Sequence, residues 1–292
     1  MPDLGGQSVR RRRLAAELRR LRERAGLTGD QVAEGLGWSG SKISRIELNR
    51  IGVKLADLRK LLDLYGVSPA HRADLEALAS EPVGTGLLDV QSSGLTAELS
   101  TLIDEETEAK SVWTWEPQLV PGLLQTESYA RAVIAGWTAI MPTPREEVER
   151  RVEARLARQR LLVRDPPLEL LTVIDESVLH RKIGSGSVMR EQLEHLVTVG
   201  RMPSIRLQIL ALGGDHPIGT GSFNYMQFTQ RHTVPLNEIV NVEQLARNYQ
   251  IYQESETLQY QVAFRRLAEL ALAPDDSRAV ILQAIRETWP DS

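Results

Sequence analysis

The stretch LGWSGSKISRIELNR, Leu36 to Arg50, decides how the first quarter of the chain is read. Ser39 has N-cap chemistry, and the helix it opens, about Gly40 to Leu48, turns Ile43 and Ile46 to one side. Its other side carries Ser, Lys and Arg. That side is either a solvated helix face or a surface that reads something, and the rest of the chain has to decide.

Upstream, Leu14, Leu18 and Leu21 recur at helical spacing up to Ala25-Gly26, where glycine suits the left-handed position after a helix. Thr28 is an N-cap residue for Gly29 to Leu36, whose apolar members are Val32, Ala33 and Leu36, and Gly37 closes that helix. Downstream, Leu55, Leu58, Leu61, Leu62 and Tyr65 predict a fourth helix ended by Gly66. Ser68-Pro69 opens a fifth that runs to about Ala79. Residues 9–80 therefore predict an all-α five-helix bundle. Within it Ala33 allows close helix approach and Gly37 permits the turn, the requirements of a helix-turn-helix.

Charge separates this module from the remainder. The 292-residue chain carries a net −4, yet Arg10 to Lys60 holds 14 Lys or Arg against 6 Asp or Glu, so this segment is +8 and the rest −12. A basic module on an acidic body predicts a polyanion at one end only, and together with the helix-turn-helix spacing this points to double-stranded DNA. The absence of cysteine removes disulfides and thiolate metal sites. No apolar run approaches a membrane span, and the expectation is a soluble cytoplasmic protein without membrane, metal or cofactor.

Through LRRLRERAGLT, VAEGLGWS, SKISRIELNR and LRKLLDLYGVS, residues 14–66 resemble the XRE-type helix-turn-helix of phage repressor-like regulators. The resemblance implies that the third helix enters the major groove and that its first residues meet base edges. Gly40, Ser41, Lys42, Ser44 and Arg45 match the groove-facing positions. Arg45 is the best base reader, because its fork pairs with guanine O6 and N7. Lys42 would read a base or hold a phosphate, and Ser39, Ser41 and Ser44 are short donors. Gly40 departs from the long polar residue usual there and marks a base position left unread. The amides near Thr28, Gly29 and Asp30 would meet phosphate at a helix N-terminus, although the Asp30 charge opposes this. Arg50 and Lys54 are phosphate anchors. The family also pairs an Arg of the first helix with a Glu ending the third, here Arg22 and Glu47, a pair that can orient Arg22 towards phosphate; the alternative is two independent surface charges. Arg10 to Arg13 either form a basic arm or begin the first helix.

EPVGTGLLDVQSSG, residues 81–94, is rich in Gly, Ser and Pro and predicts a linker. Residues 95–289 mix element types into an α+β second domain without regular βαβ alternation. Helices are expected over 95–109, 127–135, 145–163, 188–199, 255–272 and 277–288. Strands are expected over 111–115, 168–174, 205–210, 223–228 and 239–242. SVWTWEPQLVPGLLQTESYARAVI and VNVEQLARNYQIYQE resemble the C-terminal domain of an actinobacterial group of WhiJ-like, antitoxin-like regulators, in which an XRE helix-turn-helix precedes it. That resemblance implies a transcription regulator working with a small acidic partner protein encoded nearby. Trp113, Trp115, Tyr129 and Trp137 either line a partner or ligand surface or pack in the core. In IDESVLH, Asp175, Glu176 and His180 lie close in sequence, but His195, His216 and His232 have no ligand spacing to them, and no enzyme is expected. Gly213-Gly214 and Gly219-Thr-Gly221 read as a surface loop. The expected protein is a DNA-binding homodimer on a palindromic operator, modulated by the partner protein. The alternative is a regulator gated by a small-molecule effector in the second domain.

Overall fold

The computed structural model describes residues 9–80, 97–217, 219–228, 238–244 and 248–290, so the expected linker at 81–94 and His232 lie outside the described residues. The chain divides into two compact units.

The first unit opens with α1 (Val9–Arg24), α2 (Gly29–Leu36), α3 (Gly40–Glu47), α4 (Leu55–Leu64) and α5 (Pro69–Ser80). Their periodic apolar positions converge: Leu14, Leu18, Leu21, Val32, Ala33, Ile43, Ile46, Leu58, Leu61, Leu62, Leu75 and Leu78 form one buried core, with Tyr65 at its edge. Gly26, Gly37 and Gly66 end α1, α2 and α4 at positive φ, as helix-closing glycines do. Asn49 takes the same left-handed conformation after α3, at φ 54°.

Of the two readings of Arg10 to Arg13, the structure gives the first turn of α1, where Arg13 is buried and Arg12 pairs with Glu105. Glu105 belongs to α6 (Ala97–Glu108), the helix expected to open the second domain, which lies in the first compact unit. Ile103, Thr101, Glu105 and Glu106 are buried there. A helical period shows that a segment folds; it does not show which core its face joins.

The second unit is built on a six-stranded sheet in the order β3-β2-β1-β4-β5-β6. The strands are β1 (Ala109–Glu116), β2 (Glu169–Asp175), β3 (Ile205–Leu210), β4 (Phe223–Phe228), β5 (Ile239–Glu243) and β6 (Asn248–Ile251). β1, β2 and β3 run parallel, and β4, β5 and β6 continue from β1 in antiparallel pairs. The parallel strands are joined by α7 (Glu127–Thr138) with α8 (Arg145–Arg158), and by α9 (Ser177–His180) with α10 (Gly186–Val199). This half therefore does alternate strand and helix, as parallel crossovers require. The mixed α+β class holds for the domain as a whole. β6 has no counterpart among the expected strands. Two helices, α11 (Glu254–Leu270) and α12 (Pro274–Thr288), end the unit. Phe264 and Leu267 of α11 pack on Trp115, Val173, Leu210, Phe223, Tyr225 and Val240 of the sheet. Among the described residues, no helix is long and apolar enough to cross a membrane.

Candidate nucleic-acid interface

α2 and α3 make the helix pair. α2 is opened by a reciprocal cap, in which the Gln31 amide donates to Thr28 Oγ1 at 3.2 Å and the Thr28 amide to Gln31 Oε1 at 2.8 Å. The Thr-x-x-Gln spacing is a sequence signal for this cap. It occupies the Thr28 amide, so the donors left at this helix start are the amides of Gly29 and Asp30, which by position have no partner within the helix. At the other end Gly37, φ 67°, returns its amide to Ala33 and Glu34.

α3 begins at Ser39, which has extended backbone and caps without a side-chain bond; its Oγ lies 3.1 Å from Ser41 Oγ. Gly40 has a structural reason. A Cβ there would stand 2.7 Å from Asp30 Oδ1, so glycine makes room for a carboxylate lodged beside the positive end of α3. Ile43 and Ile46 are buried, and Ser41, Ser44 and Arg45 are exposed on the opposite side. Arg45 Nε donates to the Ser41 carbonyl at 3.3 Å, which lays its side chain back along the helix start.

Lys42 is placed differently from its neighbours. Its Nζ donates to Asp57 Oδ2 at 2.8 Å and lies 3.6 Å from the Trp38 ring centroid. The ammonium is thus held between α3 and the first turn of α4, and reaching a base would mean giving up both contacts. Arg50 and Lys54, on the loop that follows α3, are exposed.

Arg22 and Glu47 form a bidentate pair, with Nε to Oε1 at 2.7 Å and Nη2 to Oε2 at 2.9 Å. Arg22 Nη1 also donates to the Leu27 carbonyl at 2.8 Å. The side chains are 14% and 9% exposed, and the Glu47 hydrogen bonds raise the Arg22 pKa, with burial opposing. The guanidinium is spent inward, tying the end of α1, the following turn and the end of α3 together. The expected orientation of Arg22 towards phosphate is not what this geometry provides.

The aromatic residues of the second unit do not share a surface. Trp115 and Tyr129 are buried, Tyr129 with its hydroxyl accepting the Val120 amide at 3.2 Å. Trp113 packs between Tyr225 and Phe264, with centroids at 5.1 and 5.4 Å. Only Trp137 of the four is exposed. The reason is the register: Trp113 and Trp115 fall on the strand face that α11 covers.

The polar residues of IDESVLH diverge as well. Asp175 Oδ2 meets His216 Nε2 at 3.1 Å, Glu176 accepts the Leu212 amide, and His180 turns to Thr288. Asp175 and His216 lie on separate elements, so no spacing rule linked them. Glu116, at the end of β1, has its carboxyl pushed up to about 8, by burial first and then by Glu243, with Arg155 opposing.

Two packed helices joined by the three-residue turn Gly37 to Ser39, with a polar, basic face on the second, define a helix-turn-helix DNA-binding protein. Residues 13–75 match the model of a helix-turn-helix domain, which makes the chain a DNA-binding regulator. Residues 99–283, more than half the chain, match the model of the domain of unknown function DUF5753, and the chain belongs to that family. No curated protein and no solved structure matches it.

Proposed function

We propose that the protein is a sequence-specific transcription regulator of the antitoxin-like kind, binding a palindromic operator as a dimer and modulated through its C-terminal domain by a small partner protein. The observation that carries this is the division of α3. Ile43 and Ile46 anchor it in the core, while Ser41, Ser44 and Arg45 stand exposed on its other side with Arg50 and Lys54 beyond its end. Readers at the helix start and cations past its end fit base edges flanked by phosphates.

Modulation has physical support in α6. The DUF5753 match begins within it, it packs in the unit that holds the reading helix, and it runs without a break into β1 of the other unit. A partner that shifts β1 therefore has a covalent route to the helix bonded to Arg12 of α1. Residues 109–292 carry 20 Lys or Arg against 22 Asp or Glu, so charge neither draws nor opposes an acidic partner strongly there, and docking rests on apolar contact. Trp137 in the last turn of α7, and Ile140 and Met141 just past it, are exposed and offer that contact.

The test is operator selection from a random duplex pool by the full chain. The expected product is a two-fold symmetric site, and Arg45→Ala should relax the preference at one position in each half while retaining general affinity. An unchanged preference profile for the Arg45→Ala protein would remove Arg45 as a reader. Failure to enrich any sequence would overturn the proposed function.

A further inference from the structure

α11 turns Thr257, Phe264 and Leu267 to the sheet, as its burial requires. Its outward face is otherwise Glu, Ser, Gln and Arg, but two large apolar side chains stand exposed among them. Leu258 is 54% exposed and Val262 59%, one turn apart on that face. Tyr249 is also exposed. It pairs with Val242 on β5, which packs in the core beneath α11, so Tyr249, on the edge strand β6, adds an exposed ring on the α11 side of the sheet.

The charges at the two ends of α11 say what fits this face. The first turn carries Glu254 and Glu256, and Arg265 and Arg266 lie near the other end. We propose that α11 packs antiparallel on the α11 of a second copy of this chain, about a two-fold axis near Tyr260, as the interface of the dimer. A two-fold there sets Leu258 against the second copy's Val262 and Glu254 against the second copy's Arg266, each contact occurring twice. A parallel arrangement would instead place acid against acid and base against base. Arg266 is bonded to Glu269 at 3.1 Å, but both side chains are more than half exposed, so that bond yields readily to a better-shielded partner. A self-complementary face of this kind is what an isologous two-fold contact needs.

This inference rests on the dimeric reading above, and the experiment separates the two. Sedimentation equilibrium of the full chain, alone and with selected operator duplex, is compared for wild type, Leu258→Glu with Val262→Glu, Glu254→Arg, Arg266→Glu, and the last two combined. All four positions are at the surface, and circular dichroism checks that the variants fold. The expected result is a dimeric wild type, a monomeric Leu258→Glu/Val262→Glu protein, and dimerisation weakened at least about tenfold by either charge reversal, since each places two like-charge pairs in the dimer. Combining the reversals should restore it. Variants that remain as dimeric as wild type would overturn the α11 interface and leave the dimer standing. A wild type that stays monomeric even on operator would overturn both. A chain that is monomeric alone and loses a small partner protein on Leu258→Glu/Val262→Glu would assign the face to that partner and overturn the self-pairing.

Discussion

Arg22→Met tests whether the reading helix is held by a buried charge pair or by apolar packing alone. The substitution keeps the aliphatic length of Arg22 while removing the two bonds to Glu47 and the bond to the Leu27 carbonyl. Breaking one side of a fully buried pair costs about 3–5 kcal/mol, because the remaining charge is left without compensation. Here the two side chains are 14% and 9% exposed, so water reaches the orphaned carboxylate, and the expected loss is about 2–3 kcal/mol. Glu47→Leu should cost a similar amount. The double variant removes both charges and leaves no buried ion, so it should lie no lower than either single one. The coupling should then be about 2 kcal/mol, which is in the range of neighbours sharing a bond network.

Five tryptophans in two units blur a fluorescence transition. The suitable assay is native-state hydrogen exchange of the full chain, read on amides of α1, α2 and α3. Single-variant losses below about 0.5 kcal/mol, or losses that simply add in the double variant, would show a solvated pair of the ordinary surface kind and refute the reasoning.

Gly37→Ala places a Cβ where nothing lies within 4 Å, so the entire cost is the left-handed backbone at φ 67°, about 1–2 kcal/mol by exchange in α2 and α3. A loss near zero would mean that the turn adapts. Glu116, raised to about 8, holds a proton in the folded chain that the unfolded chain releases near 4.5. Wild-type stability should therefore be greatest below that value, fall as pH rises towards 8, and level off beyond. Glu116→Gln should remove this decline, with a gain over wild type growing by at most about 1.4 kcal/mol per pH unit in urea titrations. Parallel curves for the two proteins would refute it.

The bundle was legible because its cues are local. Each of α1 to α5 has a cap, a glycine or a proline within a few residues of its apolar run, and the core residues follow from the period. What sequence could not supply is what each polar side chain faces across the fold. Lys42 has the residue type and spacing of a groove contact, yet Asp57, fifteen positions on, takes its ammonium. Gly40 reads as a missing reader until Asp30 is seen beside it, and nothing in the period of α6 shows that its Glu105 meets Arg12 of α1. The Trp113 and Trp115 pair is as compatible with a surface as with a core, and only α11 decides it. β6 is four residues of Asn, Tyr, Gln and Ile, too short and too mixed for alternation to reveal.

These placements reduce what one copy can read. With Lys42 held by Asp57 and Arg22 by Glu47, the exposed side-chain donors on α3 and its cap are Ser39, Ser41, Ser44 and Arg45. An eight-residue helix is about 12 Å long, which matches three or four base pairs of groove. A site of four base pairs recurs roughly once in every few hundred, far too often to single out an operator among genomic competitors. Two such helices on a fixed two-fold axis square that selectivity and set the spacing of the half-sites. On the proposed dimeric reading, sequence specificity is tied to whatever holds two copies together. If α11 is that contact, its face is as much a determinant of the operator as Arg45.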